Sequence, residues 1–152
     1  MDEWEDRGGY VLIGDLNART GEMQVVDDGC LCVNDRISES RRSRYKGVNS
    51  RGRKLVRLLD DEGFVILNGR MQGDGSGSLT FYGGMGESVI DYACVSMNAI
   101  DVVGDFRVDV CDHSHHMLIV VELVCRVEGD GAVVCRDAAR LRWNEGFAEG
   151  YR

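Results

Sequence analysis

Hydrophobic residues occur mainly in short runs that are separated by polar loops rich in glycine. Most of these runs have the length of a strand and no helical period, so they predict β-strands. The predicted strands cover residues 10–13, 64–67, 79–82, 88–95, 106–110, 117–124 and 132–135. The first follows two glycines and is predicted to be buried. The glycine-rich loop 83–86 would join the strands at 79–82 and 88–95 as a hairpin.

One segment has the apolar spacing of a helix. Leu55, Leu58 and Leu59 stand at i, i+3 and i+4, after Asn49 or Ser50 as the capping residue. Gly63 occupies the place of a C′ glycine. Residues 19–34 and 72–79 are predicted loops, and Trp143 and Phe147 stand at helical spacing in the polar tail. Strands dominate and at least one helix is present, so the predicted fold class is α/β or α+β.

The chain of 152 residues has the length of one domain. No apolar run approaches the ~18–20 residues that cross a membrane, and the acidic N-terminus lacks the apolar stretch of a secretory signal. We therefore expect an intracellular location, nuclear or cytoplasmic, without membrane association. The six cysteines form no C-x-x-C pair, which leaves a zinc ribbon unsupported. Cys94, Cys125 and Cys135 lie in apolar runs, where reduced thiols are expected.

The net charge of -8 is unevenly distributed. Residues 36–57 contain nine basic side chains and one acid, Glu39, and the rest of the chain is correspondingly more acidic. Such a segment is typical of a surface that binds a polyanion. A solvated loop and helix face is the equally good alternative from charge alone.

Polar residues directly after a predicted strand are the first candidates for chemistry. Asp15 and Asn17 are two residues apart, so in extended backbone they point to the same side. A carboxylate can bind Mg²⁺ or orient water, and an amide can donate to a phosphoryl oxygen. The alternative is an ordinary Asp/Asn turn.

Two further candidates carry an acid and a histidine. Asp91 lies inside an apolar run, where a charge is costly unless it is paired, although a strand Asp that faces solvent remains the alternative. Asp112 and His113 precede the last long apolar run, and an Asp can fix the tautomer of a His. His115 and His116 are expected only to flank that strand. A transition-metal site with two histidines and Asp112 is the other alternative.

The order of these motifs is more specific than each alone. Gly14-Asp-Leu-Asn17, then Ile90-Asp-Tyr92, then Asp112-His113 resemble the endonuclease/exonuclease/phosphatase superfamily of DNase I-like nucleases and inositol polyphosphate 5-phosphatases. Residues 14–21, 49–70 and 73–81 are similar to the endonuclease domains of LINE-type (non-LTR) retrotransposons. Residues 142–147 resemble the segment that leads from such a domain toward a reverse transcriptase.

The resemblance implies a role for each matching residue. Asp15 would orient or deprotonate the attacking water with the help of Mg²⁺ or Mn²⁺, and Asn17 would hold the scissile phosphate. His113 would bind the phosphate, with Asp91 as its hydrogen-bond partner and Asp112 as a metal ligand.

The implied partner is DNA. Thr80 matches a position that contacts the DNA backbone in the retrotransposon group. The basic segment would add phosphate contacts through Arg51, Arg53 and Lys54.

The resemblance also implies a four-layer sandwich, of which this chain matches the C-terminal part. Residues 1–9 would be a stub, 10–136 a partial domain and 137–152 a linker. Cys111 stands where the family has Ser, and only thirteen residues precede Gly14, where the family supplies a further Glu ligand. We therefore expect impaired hydrolysis of DNA. The alternatives are an inactive remnant that binds nucleic acid and a phosphatase of the same superfamily, against which residues 18–20 and 67–70 argue.

Overall fold

Three small antiparallel sheets and one long helix form the part of the chain that the computed structural model describes, residues 8–31 and 34–124. The strands are β1 (Val11–Asp15), β2 (Phe64–Ile66), β3 (Phe81–Gly83), β4 (Gly86–Ser88), β5 (Asp91–Ser96), β6 (Val103–Asp109) and β7 (Leu118–Leu123). The helices are α1 (Asp28–Leu31) and α2 (Ser50–Asp61), with 3-10 turns at Gln72–Asp74 and Met97–Val102. This mixed architecture agrees with the predicted α+β class.

Several predictions lie outside the described residues. They are the strand at 132–135, the burial of Cys125 and Cys135, and the helical spacing of Trp143 and Phe147. No helix in residues 8–31 and 34–124 is long and apolar enough to cross a membrane.

β5 is the central strand of the main sheet, which has the order β1-β5-β2. All six of its residues are buried, and their alternation separates two cores. Ala93 and Val95 point into the core that β6 and β7 cover, whereas Tyr92 and Cys94 point into the core beneath α2. The sheet is therefore covered on both faces, by a second sheet and by a helix.

β1 confirms the predicted first strand but not its burial. Val11, Leu12 and Ile13 remain 39%, 43% and 49% exposed. β1 is an edge strand that pairs with β5 alone among the described strands, so only one neighbouring strand covers it. An apolar run of this length predicts a strand, but it does not show which strands are central.

A hairpin forms after residue 79 as predicted, but its second strand is Gly86–Ser88 and not residues 88–95, most of which belong to β5. β3 and β4 pair with each other, and the chain then passes at Val89 and Ile90 into β5, in another sheet. The hydroxyl of Thr80 accepts hydrogen bonds from the backbone N–H groups of Ile90 and Asp91, both at 3.0 Å. One side chain thus fixes the point at which the chain changes sheets.

α2 begins and ends as predicted. The Asn49 side chain caps it by accepting a hydrogen bond from the Gly52 N–H at 2.7 Å, and Gly63 follows with a φ of +67°. The buried stripe is Gly52, Val56 and Leu59, whereas Leu58 is 56% exposed. Glycine is required at position 52 for this close approach, because a Cβ there would lie 1.8 Å from the carbonyl oxygen of Arg19.

Two arginines lie inside the protein. Arg41 is 3% exposed, which corrects the interpretation of residues 36–57 as a uniformly solvated surface. Arg70 is also buried, and it donates to the carbonyl oxygens of Ile66, Ser38, Glu39 and Gln24. Burial lowers the pKa of Arg70 to about 10, so the side chain stays charged at neutral pH.

Arg70→Lys should destabilise the protein by about 2–4 kcal/mol, because a lysine ammonium cannot satisfy carbonyls in so many directions. Urea unfolding measures the change. The control is Arg42→Lys, at an exposed side chain of the same charge, which should shift the free energy of unfolding by less than about 0.5 kcal/mol. Equal effects of the two variants would contradict this role of Arg70.

The two cysteines whose environment is described should differ in reactivity. Cys94 is fully buried and burial raises its pKa to about 12, whereas Cys111 is partly exposed. Since the thiolate is the reactive form, iodoacetamide at pH 8 should alkylate Cys111 and spare Cys94 in the folded protein. Peptide mass spectrometry reads both sites. Rapid labelling of Cys94 before unfolding would contradict its placement in the core.

Candidate functional site

Two aspartates face each other at the end of the main sheet. Asp15, the last residue of β1, is the register partner of Asp91, the first residue of β5. Asp15 is exposed, whereas the Asp91 side chain is only 10% exposed. Like charges directly opposite each other on paired strands are destabilising. The arrangement therefore requires a hydrogen-bond donor or a cation between or beside the carboxylates.

His116 supplies the donor. Its Nδ1 lies 3.0 Å and 3.1 Å from the two carboxylate oxygens of Asp91. An ionised carboxylate only accepts, so this contact places the proton on Nδ1. Ligand atoms of Asp15, Asp91 and His116 all lie within 4.8 Å of one another, a grouping that can hold a metal ion. This cluster, Asp15–Asp91–His116, is here called the acid–histidine cluster.

The partner of Asp91 differs from the prediction. The expected pair was Asp91 with His113, but Asp112 and His113 are both exposed and lie outside the acid–histidine cluster. The structure also corrects the prediction that His116 only flanks a strand. It gives no support to the transition-metal site with Asp112.

The backbone explains why His116 takes this place. Met117 donates to the carbonyl of Thr80 at 2.7 Å, and Tyr82 donates to the carbonyl of His115 at 2.8 Å. Residues 115–117 thus pair alongside β3, which brings His116 across from Asp91. The His116 ring also meets the Phe81 ring edge-on, with centroids 4.9 Å apart.

A signal for His116 was present in the sequence. The superfamily that the sequence resembles has a Ser-Asp-His pattern, and Ser114-His115-His116 is similar to it at the first and last positions, with His115 in place of the Asp. The similarity at Asp112-His113 retains the Asp but has Cys111 in place of the Ser. The His115 Nδ1 contacts the carbonyl of Tyr82 at 3.0 Å, which makes its role structural.

Asp15 and Asn17 form an Asp/Asn turn, which is the alternative to a functional site at these residues. The Asn17 N–H donates to the Asp15 Oδ1 at 2.8 Å, and Asn17 adopts a left-handed φ of 49°. Asn tolerates this conformation better than most residues. The same turn leaves both side chains exposed at one cavity, so turn and site are compatible.

This cavity, of about 450 Å³, is here called the site cavity. Its lining comprises Asp15, Asn17, Arg19, Asn49, Ser50, Arg51, Phe81, Ser88, Ile90 and His116. Of the three basic residues predicted to bind phosphate, Arg51 lines it, whereas Arg53 and Lys54 are exposed on α2 outside the lining.

Thr80 was predicted to contact the DNA backbone, and its position argues against that role. The residue is fully buried, and its hydroxyl already accepts from two backbone N–H groups. It therefore positions Asp91 rather than presenting a group to an external ligand.

The buried Tyr92 links the loop after β1 to the chain around β5. Its hydroxyl lies 2.9 Å from the carbonyl oxygens of Ala18 and Val89 and 3.1 Å from the Thr20 hydroxyl. Burial raises the pKa of the phenol, which keeps it neutral and able to donate. The loop that carries Asn17 and the strand that carries Asp91 are thereby tied together, a connection that strand patterning did not predict.

Comparison with known proteins gives no further assignment. No protein family, no curated protein and no solved structure matches the chain.

His116→Ala should destabilise the protein by about 1–3 kcal/mol, since it leaves the Asp91 carboxylate buried without its donor. His113→Ala is the matched control, and at an exposed position it should change the free energy of unfolding by less than about 0.5 kcal/mol. Thermal and urea unfolding measure both variants. A larger loss for His113→Ala would restore the original assignment of the pair.

Proposed function

We propose that the site cavity is a phosphodiester-binding site of the metal-dependent, DNA-hydrolysing type. The observation that carries this proposal is the convergence of an exposed carboxylate, an exposed amide and a carboxylate-held imidazole on one cavity. Phosphodiester hydrolysis requires an oriented water and donors for the phosphoryl oxygens. The sequence resemblance to DNase I-like nucleases supports the same reading.

The residues of the acid–histidine cluster supply part of the ligands that one divalent cation needs. Asp91 is nearly buried and shares the Nδ1 of His116 between its two oxygens, so the exposed Asp15 is the more accessible carboxylate of the cluster. Oxygen ligands suit Mg²⁺ or Mn²⁺. When bound, such an ion lowers the pKa of a coordinated water and offsets charge on the phosphate. Asp112 does not belong to the cluster and is not proposed as a ligand.

The side chains have distinct roles in this proposal. Asp15 accepts a hydrogen bond, and then a proton, from the water that attacks phosphorus. The bond from phosphorus to the leaving sugar oxygen breaks, and that oxygen takes a proton from solvent. Asn17 donates its amide N–H to a phosphoryl oxygen. His116, fixed through Nδ1 by Asp91, presents its other ring nitrogen to the phosphate. That nitrogen donates when the ring is protonated, as charge on the phosphoryl oxygens grows.

The proposal also includes a more specific fold. The sheet β1-β5-β2, with α2 on one face and the sheet β6-β7 on the other, is compatible with part of a DNase I-like sandwich. Exposed apolar residues on β1 and β7, such as Ile13 at 49% and Leu118 at 55%, supply surface for the packing of further structure.

A second candidate function is DNA binding without efficient turnover. It is favoured by the small number of carboxylates in the acid–histidine cluster, of which only Asp15 is exposed. This second candidate predicts that, with Mg²⁺ present, the chain binds DNA and nicks plasmid no faster than Asp15→Asn. Fast nicking that Asp15→Asn and His116→Gln both abolish would instead make Asp15 a sufficient metal ligand. Undetectable DNA binding at low salt would eliminate both candidates.

Asp15→Asn tests the metal site through stability. The amide keeps the turn to Asn17 and removes the repulsion from Asp91, so it should stabilise the metal-free protein by about 0.2–1 kcal/mol. Mn²⁺ should raise the Tm of the parent chain but not that of Asp15→Asn, because only the folded parent binds the ion. Differential scanning calorimetry with and without chelator measures both effects.

Asp101→Asn is the control, since it removes an exposed carboxylate outside the cluster. It should leave the response to Mn²⁺ intact. If Mn²⁺ shifts the Tm of Asp15→Asn as much as that of the parent chain, the ion binds elsewhere and the proposed metal site is wrong.

A further inference from the structure

The site cavity has two walls of different chemistry. One wall carries His116, Phe81, Ser88 and Ile90, and it contains the imidazole held by Asp91. The other wall, here called the arginine wall, consists of the turn after β1 and the first turn of α2. It contains Arg19 and Arg51, beside Asp15 and Asn17 of the first phosphate position. The proposed phosphate-binding histidine and the two guanidinium groups therefore enter the cavity from different elements.

The arginine wall is held rigidly. The Asn49 N–H donates to the Arg19 carbonyl at 3.0 Å, and the Arg19 N–H donates to the Asn49 Oδ1 at 3.2 Å. Gly52 packs so closely on the Arg19 carbonyl that no side chain fits between them. The backbone of Arg19 is therefore fixed against the helix turn that carries Arg51.

The guanidinium of Arg19 is also oriented. Its central carbon lies 5.5 Å from the centroid of the Tyr45 ring, a cation–π contact that restricts the side chain. Neither Arg19 nor Arg51 forms a salt bridge within the described part of the chain, whereas Arg107 pairs with Asp109 and Glu122. On a chain with a net charge of -8, two unpaired arginines on one wall of a cavity favour an anionic ligand.

We propose that Arg19 and Arg51 form a second phosphate-binding position beside the acid–histidine cluster, so that the cavity takes a nucleotide strand by two neighbouring phosphates. This inference rests on the proposed function for the first phosphate. Arg53, Lys54 and Arg57 are exposed on α2 but do not line the cavity.

Salt dependence of DNA binding tests the second position. Each phosphate contact that is lost should lower the slope of log K against log salt by about 0.9 for duplex DNA. Arg19→Ala and Arg51→Ala should each reduce the slope by about this amount, and the double variant by roughly twice as much. The probe is a short fluorescein-labelled DNA duplex, measured by anisotropy with Mn²⁺ across a salt series.

Arg57→Ala is the matched control, because it removes an exposed arginine of the same helix that does not line the cavity. It should leave the slope unchanged. An equal reduction by Arg57→Ala would show that the whole basic surface binds DNA and would overturn the second position. Unchanged slopes for Arg19→Ala and Arg51→Ala would also overturn it.

Two small probes separate this inference from the proposed function. Inorganic phosphate should shift the NMR signals of the His116 ring in the parent chain and equally in the double arginine variant. No shift in the parent chain would contradict the proposed function itself. If phosphate shifts the His116 signals but the arginine variants bind DNA as the parent chain does, only the second position is contradicted.

Inositol hexakisphosphate distinguishes the ligand class. It should compete with the labelled duplex only weakly at equal phosphate concentration. If it binds more tightly than DNA and loses that affinity in the double arginine variant, the assignment to a nucleotide strand is wrong.

Discussion

The pairing of β5 with β1 is the constraint on which the rest of the structure depends. Because strand residues alternate between faces, β5 fills one core with Ala93 and Val95 and the other with Tyr92 and Cys94. The same register places Asp15 opposite Asp91. A shift of one residue in this pairing would turn the side chains of β1 to the opposite face and separate the carboxylates, so the site depends on the register of one ladder of hydrogen bonds.

Several independent contacts hold the two opposed aspartates in place. Thr80 holds the backbone at Asp91, Tyr92 ties the strand to the loop after β1, and His116 donates to the buried carboxylate. Each contact comes from a different element. A repulsive arrangement that so many neighbours maintain is typical of sites where stability is lost in favour of binding or catalysis.

Local patterns predicted much of this fold from the sequence. The Asn49 cap, the Gly63 stop and most strands follow from neighbours along the chain, and all of them form. Asp15, Asn17 and Asp91 were likewise found from polar residues at or inside apolar runs. What could not be predicted depends on contacts distant in sequence. The choice of His116 over His113 results from pairing with β3, and the burial of Arg41 results from carbonyls and a hydroxyl contributed by other loops.

The position of β1 has a consequence for the behaviour of the chain in solution. In residues 8–31 and 34–124 only β5 pairs with β1, so the other side of β1 can pair with an added strand, which would also cover its apolar side chains. The charge of -8 opposes contact between copies, but this repulsion acts through solvent and weakens as ions screen it. Higher ionic strength therefore acts in opposite directions on two surfaces of this molecule. It weakens the binding of a polyanion to the arginine wall and favours strand addition at β1.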